Sequence, residues 1–345
     1  MRVIFAYADY AEGLNTSVWR VFIPVEALKR AGHKVEVISV EELVKGTHHH
    51  RPENFDVLVI ERELFSCSEV IEKWPIPVIA TFDDAYHLIP PTVPSFPTWR
   101  KGDALKNFRK CLRQVDAYIT PSPLLTEDFK HINSHGHTIR NYPDLSWDCW
   151  KAERKPHKGI RIGWGGSISH YDSWMYSGIV PAVRRILADF PETSLTIVSG
   201  DMRLIDLFSG LDYRRFRYKD TMPFEKWPSQ LASWDIGLAP LHGEYDRRRS
   251  WIKALEYCIM GVVPVVSDVE PYQDCPVFAR VRGDKPLNWY NAIRDAIKVC
   301  LLGKEDLIRK NREWALKQGI DGNVGLYRSA LEETIERKTR LAHKA

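Results

Sequence analysis

The sequence has no apolar run long enough to cross a membrane as a helix, no C-x-x-C cysteine pair and no G-x-G-x-x-G dinucleotide fingerprint. Without 18 or more consecutive apolar residues, a transmembrane helix is excluded. The first eight residues are too short an apolar run for a signal peptide and are typical of a first strand. The six cysteines are scattered, which argues against a zinc site and a disulfide framework and favours a reduced, cytoplasmic protein.

Charge is distributed unevenly between the two halves of the 345-residue chain, which has a net charge of +4. Residues 1–150 contain 17 Lys and Arg against 20 Asp and Glu, a balance of −3, whereas residues 151–345 contain 32 against 25, a balance of +7. The length of the chain, 345 residues, favours two domains. We therefore expect an anionic ligand in the second half rather than a nucleic-acid surface across the whole molecule.

Short apolar runs alternate with longer helical patterns, which predicts parallel strands joined by crossover helices. The expected strands are 3–8, 34–40, 56–61, 77–82, 117–121 and 138–141 in the first half, then 160–164, 194–199, 216–219, 235–240 and 263–267. The polar stretch 151–158 is the expected linker. We predict an α/β fold of two Rossmann-like domains facing a central cleft, with domains 1–150 and 151–325 and a C-terminal helix or tail over 326–345.

Ligands in such sheets bind beyond the carboxyl ends of the strands. That rule points to the segments 9–17, 83–87, 165–172 and 242–249. Within the first segment, Gly13 and Asn15 are the candidate residues. The basic end, 336–344, is expected to be a disordered tail, with a weak contact to an anionic surface as the alternative.

The most informative segment is a predicted helix over 250–260. Residues four and three apart share a helix face, so Arg249, Lys253 and Glu256 lie on one side. Two cations at a helix N-terminus suit a diphosphate, because the unpaired backbone N–H groups there already favour an anion. A carboxylate one turn later can accept hydrogen bonds from sugar hydroxyls. The alternative is an exposed face with an ordinary Lys–Glu pair.

Two loops supply further candidates. Gly165 and Gly166 follow a strand and let backbone amides approach a phosphate, while Ser167 offers a hydroxyl; the alternative is a tight strand-to-helix turn. Asp83 and Asp84 end the fourth strand, where they can act as a base, bind sugar hydroxyls or cap the next helix. The histidines at 48–50 are read as a surface loop rather than a metal site.

Taken in order, these segments resemble the GT-B glycosyltransferases, close to glycosyltransferase family 4 and its bacterial and phage relatives. Residues 162–167 with His170 and Asp172 resemble the family's phosphate loop, and 235–241 resembles its donor-side strand. Residues 249–257 and 261–267 resemble the donor-binding helix and strand. In the first half, Arg20 and 82–84 resemble the same group.

The sequence departs from the family pattern at two positions. Many members carry two glutamates eight residues apart in the donor helix; Glu256 matches the second, and Arg248 stands at the first. Many also carry a histidine after the fourth strand, where this chain has Asp83.

The resemblance implies a role for each candidate. Glu256 would hold the nucleotide ribose, and Arg249 and Lys253 would neutralise the leaving diphosphate. The rest of the donor site would come from Gly165, Gly166, Ser167 and His170. The groups that face the acceptor or the transferred sugar would come from Asp83, Asp84, Gly13, Asn15 and Arg20.

The implied activity is transfer of a sugar from a nucleotide sugar, of UDP or GDP type, to an acceptor hydroxyl, with retention of anomeric configuration. No metal or other cofactor is expected, since no D-x-D motif follows a strand in the second half. The acceptor is left open among a glycan, a lipid-linked glycan, a small molecule and modified DNA. Such a protein is expected in the cytoplasm, with peripheral membrane association as an alternative.

Three other functions stay open. The first is a phage-type transferase that glycosylates a hydroxylated DNA base, which the basic runs 214–217 and 247–249 favour. The second is a sugar-nucleotide epimerase on the same two-domain plan. The third is a non-catalytic sensor of nucleotide sugars, since a fold does not establish activity.

Overall fold

The computed structural model describes residues 1–8, 16–303 and 305–343. Its first half contains a six-stranded parallel sheet in the order β2-β1-β3-β4-β5-β6. The strands are β1 (Arg2–Tyr7), β2 (Lys34–Ser39), β3 (Val57–Glu61), β4 (Val78–Thr81), β5 (Ala117–Thr120) and β6 (Gly136–Thr138). Helices cover both faces of such a sheet, which explains why β3, β4 and β5 are buried along their whole length and are rich in apolar residues.

The helices of the first half follow their strands. They are α1 (Ile23–Arg30), α2 (Val40–Lys45), α3 (Ser68–Lys73), α4 (Ala104–Gln114) and α5 (Pro123–Phe129), and a π-helical turn, Val18–Phe22, leads into α1. Local chemistry sets some of these boundaries: α2 begins with a capping box between Ser39 and Glu42 and ends at Gly46, whose φ is 65°.

A second six-stranded parallel sheet has the order β12-β11-β10-β7-β8-β9. Its strands are β7 (Ile160–Gly165), β8 (Thr193–Val198), β9 (Phe216–Lys219), β10 (Ile236–Ala239), β11 (Val263–Ser267) and β12 (Ala279–Val281). The helices are α6 (Tyr171–Tyr176), α7 (Ile179–Asp189), α8 (Arg203–Asp206), α9 (Trp227–Leu231), α10 (Gly243–Arg247), α11 (Ile252–Ile259), α12 (Pro286–Leu301), α13 (Glu305–Leu316) and α14 (Ile320–Ala342). The predicted α/β fold with two doubly wound sheets is confirmed.

Two strands differ from the prediction at the sheet edges. Strand β6 covers 136–138 instead of 138–141, because the backbone oxygen of Ile139 accepts a hydrogen bond from buried Arg20 instead of continuing a ladder. Strand β12 was not predicted. Its three residues, of which Arg280 is exposed, are too few to produce a readable apolar alternation.

The C-terminal helix α14 returns to the first half and packs against α1. Arg30 pairs with Asp321 at 2.7 Å, and the Lys338 ammonium lies 3.0 Å from the Asp116 carboxylate. The prediction of a disordered tail over 336–344 is therefore wrong for its described residues up to Ala342, because their cations dock on the first half. Over the described residues, no helix combines the length and apolar character needed to span a membrane.

Candidate functional site

A cavity of about 230 Å³ lies where the carboxyl ends of the two sheets face each other. Its lining includes nine of the predicted site residues: Asp83 and Asp84 from the first half, and Gly165, Gly166, Ser167, His170, Arg249, Lys253 and Glu256 from the second. Lining residues that the sequence did not single out include Thr16, Trp19, Ser169, Thr221, Trp227 and Tyr272. The cavity thus brings together donor-side and acceptor-side candidates that are far apart in the chain.

Helix α11 presents Lys253 and Glu256 to the cavity, while Ala254, Leu255 and Cys258 of the same helix are fully buried in the core. Glu256 is itself only 3% exposed. Burial raises the pKa of Glu256 to about 7, against the opposing effects of the nearby Trp227 indole and the Lys253 ammonium. Near neutral pH this carboxyl group therefore both donates and accepts hydrogen bonds, as a pair of ligand hydroxyls would require.

The Lys253 ammonium lies 3.1 Å from His170 Nε2 and 5.7 Å from the centre of the Trp164 ring. Burial and the nearby Arg249 guanidinium lower the pKa of Lys253 to about 8, although Glu256 and Asp246 oppose the shift. Within the described residues no carboxylate pairs directly with this half-buried ammonium, so its charge is electrostatically unsatisfied. An anion bound in the cavity would relieve that penalty.

Arg249 precedes α11 and is held by several partners. Its Nε donates to Asp246 Oδ1 at 2.8 Å, and its Nη2 donates to the Ser169 hydroxyl at 2.8 Å. The guanidinium also lies 4.7 Å from the centre of the Tyr245 ring and 3.8 Å from Asp84 Oδ1. These bonds engage Nε and Nη2 and fix the guanidinium plane, so a phosphate oxygen would meet Nη1.

A chain of hydrogen bonds connects the two cations through His170, which the sequence singled out, and through Ser173 and Asp246, which it did not. His170 Nε2 accepts from Lys253, so His170 Nδ1 donates to the Ser173 hydroxyl at 3.3 Å, and that hydroxyl donates to Asp246 Oδ2 at 2.5 Å. Burial, Arg249 and Lys253 hold the pKa of His170 well below its usual value, which keeps the ring neutral as this pattern requires. The buried Asp246 carboxylate thus orients Arg249 directly and Lys253 indirectly.

We expect Asp246→Asn to weaken nucleoside diphosphate binding about tenfold and to lower the free energy of unfolding by about 3 kcal/mol, because it removes the nearer of the two carboxylates beside the largely buried Arg249 guanidinium. Ser173→Ala keeps the Arg249 pair and interrupts only the path to Lys253, so its loss of stability is expected to be near 1 kcal/mol. Calorimetric titration with UDP and GDP, together with urea unfolding, checks both variants. Equal losses in the two variants would show that Asp246 does not act through Arg249.

The adjacent acids Asp83 and Asp84 point to different partners. Asp84 Oδ1 accepts from the Tyr245 hydroxyl at 2.9 Å, across the cleft. Asp83 Oδ2 accepts from Thr16 at 3.2 Å, and within the described part of the chain its Oδ1 has no hydrogen-bond partner. The helical turn Tyr86–Leu88 that follows has no side-chain cap, so the capping alternative finds no support.

Burial raises the pKa of Asp83 to about 7, with further contributions from the Asp84 and Glu61 charges. Arg20 opposes this shift through its positive charge. A carboxyl group that titrates near neutral pH in a cleft is suited to holding or exchanging a proton with a ligand hydroxyl.

The glycines that follow β7 make room for tryptophans. A Cβ at Gly165 would lie 2.1 Å from the Trp227 ring, and one at Gly166 would lie 2.5 Å from the Trp164 ring. Phosphate approach and a tight strand-to-helix turn were the two expectations for these glycines; packing against the tryptophans already requires glycine at both positions, and the phosphate role stays a prediction. Ser167 is exposed at the cavity, with its hydroxyl 2.7 Å from that of Ser169.

Of the acceptor-side candidates Arg20, Gly13 and Asn15, the structure describes Arg20. Arg20 is fully buried and does not line it; its guanidinium donates to Thr81 Oγ1, the Ile139 oxygen and Asn141 Oδ1, at 2.8–3.0 Å. These contacts connect the π-helical turn Val18–Phe22, β4 and the segment after β6, which is a structural role. Gly13 and Asn15 lie outside the described residues.

Arg248, at the position where the family pattern has a glutamate, forms a contact across the cleft. Its guanidinium pairs with Asp128 of α5 at 2.8 Å and also with Glu244. Because Tyr245 hydrogen-bonds to Asp84 and the Arg249 guanidinium lies 3.8 Å from the same carboxylate, the segment 244–249 contacts both Asp84 and Asp128 of the first half. The basic run 247–249 is therefore committed to internal ion pairs rather than to an exposed patch.

Metal-ligating side chains do not cluster within the described residues: no group of three or more His, Cys, Asp or Glu side chains there could hold an ion. At the predicted surface loop, His49 and His50 stack with their ring centres 4.6 Å apart, and His50 Nδ1 lies 2.9 Å from a Glu36 oxygen.

No known family profile matches the sequence, and no curated protein sequence matches it. Solved structures match nearly the whole chain. The catalytic domain of starch synthase IV from Arabidopsis thaliana, bound to ADP and acarbose, has a TM-score of 0.65 at 9% identity and covers 97% of this chain and 99% of its own. HepE from Anabaena, in complex with UDP and glucose, has a TM-score of 0.66 at 11% identity and covers 95% and 99%.

A putative UDP-N-acetylglucosamine 2-epimerase from Listeria monocytogenes also matches, with a TM-score of 0.54 at 12% identity, over 94% of this chain and 93% of its own. At these identities the likeness shows the fold alone. The fold is GT-B, two Rossmann-like domains around a cleft, as the resemblance implied. Membership of glycosyltransferase family 4 stays a prediction.

Proposed function

We propose that this protein transfers a sugar from a nucleoside diphosphate sugar, of UDP or GDP type, to a hydroxyl group of an acceptor. The observation that carries the proposal is the convergence of Arg249 and Lys253 on one wall of the cavity, with buried Glu256 beside them and Asp83 on the opposite wall. HepE and starch synthase IV, which share the fold, are described in complex with UDP and ADP.

On the donor side, the two cations would bind the diphosphate and Glu256 the ribose hydroxyls. As the bond from the sugar to the diphosphate breaks, negative charge grows on the leaving group. Fixed cations aimed at that charge are usually the largest catalytic contribution. Because the segment 169–170 and Asp246 already orient Arg249 and Lys253, little reorganisation is needed when this charge develops.

On the acceptor side, Asp83 would orient the attacking hydroxyl through its second carboxylate oxygen. We propose retention of anomeric configuration, with the hydroxyl proton passing to an oxygen of the leaving diphosphate. We also propose that no divalent metal or other cofactor takes part, since Arg249 and Lys253 supply two positive charges at the diphosphate. A glycan, a lipid-linked glycan, a small molecule and modified DNA are the acceptors to test.

A sugar-nucleotide epimerase is the second candidate. Asp83 supplies a group that titrates near neutral pH within the cavity, which such a reaction needs, and a putative epimerase shares the fold. The two activities differ in what they require. An epimerase converts the nucleotide sugar without any acceptor, whereas transfer releases nucleoside diphosphate in proportion to the acceptor consumed.

Thermal unfolding with UDP, GDP, ADP, CDP and dTDP, each with and without EDTA, tests donor binding. A ligand at about 100 times its dissociation constant stabilises the folded protein by roughly 2.7 kcal/mol. We expect one diphosphate to raise the unfolding midpoint, and EDTA not to abolish the shift. The absence of a shift with every diphosphate would contradict the proposal.

Turnover is then measured with sugars of the diphosphate that binds, with and without acceptor mixtures. Acceptor-dependent release of diphosphate, with an α product from an α donor by NMR, is the expected result. Conversion of the nucleotide sugar without acceptor would favour the epimerase. Binding without any turnover would favour a sensor.

A further inference from the structure

A second concave surface lies on the β8–β9 side of the second sheet and shares no lining residue with the cleft cavity. This groove has a volume of about 650 Å³. One acidic side chain, Glu192, lines it together with seven cations: Lys158, Arg161, Arg214, Arg215, Arg217, Lys219 and Lys226. The groove therefore carries a formal excess of six positive charges, seven cations less one acid.

The positive charge of the groove is not offset by ion pairs in the part of the chain that the structure describes. Among the residues that the structure describes, none of these seven cations forms an ion pair, whereas Arg247, Arg248 and Arg249 at the cleft all do. Arg215 donates to the backbone oxygen of Thr193, and Lys219 donates to Gln230 Oε1 at 2.6 Å. These neutral partners position the cations without removing their charge. Concentrated, uncompensated positive charge in a concave site attracts anions.

The floor of the groove is one polar face of the sheet. In β8, Leu195 and Ile197 are fully buried, while Ser194 and Thr196 face the groove between them. In β9, Arg217 and Lys219 share the groove face, two residues apart and therefore separated by about 6.6 Å along the strand. That separation is similar to the distance between successive phosphates of an extended nucleic-acid strand.

We propose that this groove binds single-stranded nucleic acid through its phosphate groups. Four of the seven cations are arginines, whose planar forks match phosphate oxygens. Beside the groove, Tyr213 is 75% exposed and lies 5.6 Å from the Arg214 guanidinium, an arrangement on which a base can stack. A flat bilayer surface would not reach Thr196 on the concave floor, which favours a flexible chain over a membrane. This proposal does not depend on the sugar-transfer activity.

Fluorescence anisotropy with a labelled 15-nucleotide oligo-dT, titrated from 50 to 300 mM NaCl, tests the groove. Each phosphate contact contributes about −0.7 to the slope of log affinity against log salt for a single strand. In Arg217→Ala/Lys219→Ala, the slope is expected to become shallower by about 1.4, and affinity at 50 mM NaCl to fall about tenfold or more. UDP and GDP are expected not to compete.

The matched control is Arg113→Ala/Lys317→Ala, which removes one arginine and one lysine that are exposed and lie outside the groove. It is expected to keep the parent slope, and the unfolding midpoints of both variants should match the parent. An equal change in both doubles would overturn the proposal, as would a parent that binds no oligonucleotide at 50 mM NaCl. Groove-dependent binding of heparin fragments or of phosphatidylserine vesicles, but not of the oligonucleotide, would also overturn it.

Discussion

Replacing Lys253 with methionine is expected to abolish the stabilisation of the protein by nucleoside diphosphate and to lower turnover by about 10²–10³-fold. Lys253 supplies one of the two positive charges at the cavity wall, and its ammonium is positioned by His170. Methionine fills a similar volume without charge. The measurements are the unfolding midpoint with and without UDP or GDP, and diphosphate release.

The fold is expected to survive this substitution. Burial already disfavours the charged form of Lys253 and lowers its pKa to about 8, so removing the charge should raise the free energy of unfolding at pH 7 by about 2 kcal/mol, half of what the shift alone would give, because the side chain is partly open to water. Lys317→Met, at an exposed position, serves as the control and should leave ligand binding unchanged. A full diphosphate-induced shift in Lys253→Met would show that the ligand binds elsewhere.

The pH dependence of binding gives a second readout of the same residue. A diphosphate binds the charged form of Lys253, which is lost as pH rises through the pKa of about 8. Diphosphate affinity of the parent is therefore expected to fall towards tenfold per pH unit above pH 8, and that of Lys253→Met to stay level there.

Asp83→Asn is expected to lower the turnover number by about 10²–10³-fold with little change in donor affinity. It should also raise the free energy of unfolding by about 2 kcal/mol at pH 8, which is half of what the shift alone would give, because the side chain is partly open to water. The measurements are turnover with saturating donor and urea unfolding at pH 5 and pH 8.

The direction of this pH effect follows from the linkage between protonation and folding. The pKa of Asp83 is about 7 in the folded state, against an ordinary value of 3.8. Between pH 3.8 and pH 7 the folded state therefore binds a proton that the unfolded state has lost. Its contribution to stability is present below pH 4 and declines as pH rises towards 7. Asparagine removes that decline, so the stabilisation should be larger at pH 8 than at pH 5.

Asp84→Asn is the matched comparison, because Asp84 already has partners in Tyr245 and Arg249. It is expected to destabilise the protein rather than stabilise it. A stabilisation by Asp83→Asn of the same size at both pH values would mean that the carboxyl group is not the source of the effect.

The donor-side wall was predictable because its residues follow one local rule. Arg249, Lys253 and Glu256 are spaced four and three apart, and the 3.6-residue period of α11 places Lys253 and Glu256 at the cavity with Arg249 just before the first turn. The strands were predictable for a similar reason, since β8, β9, β10 and β11 form apolar or alternating runs bounded by turns.

No local spacing or periodicity in the sequence predicted the contacts between the two halves. Arg248 pairs with Asp128, 120 residues away, and Tyr245 reaches Asp84 across 161 residues. The pair between Asp246 and Arg249 was partly predictable from the sequence, because the two residues are three apart, a spacing that permits an ion pair on a helical turn. The prediction of a disordered tail was wrong for the same reason. The sequence pattern near the C-terminus indicated solvated cations, and no local signal showed that Lys338 pairs with Asp116 in the first half.

By itself, the sequence determined the α/β class, the two parallel sheets and the sheet edge at which ligand groups collect, since periodicity and turn residues are local properties of the chain. Tertiary structure alone decided that Arg20 is a buried connector, that Asp83 and Asp84 both line the cavity but bond to different partners, and that the cations of the β8–β9 groove lack ion pairs within the described residues. Burial and electrostatic environment depend on which distant segments pack together, and no local pattern encodes that choice.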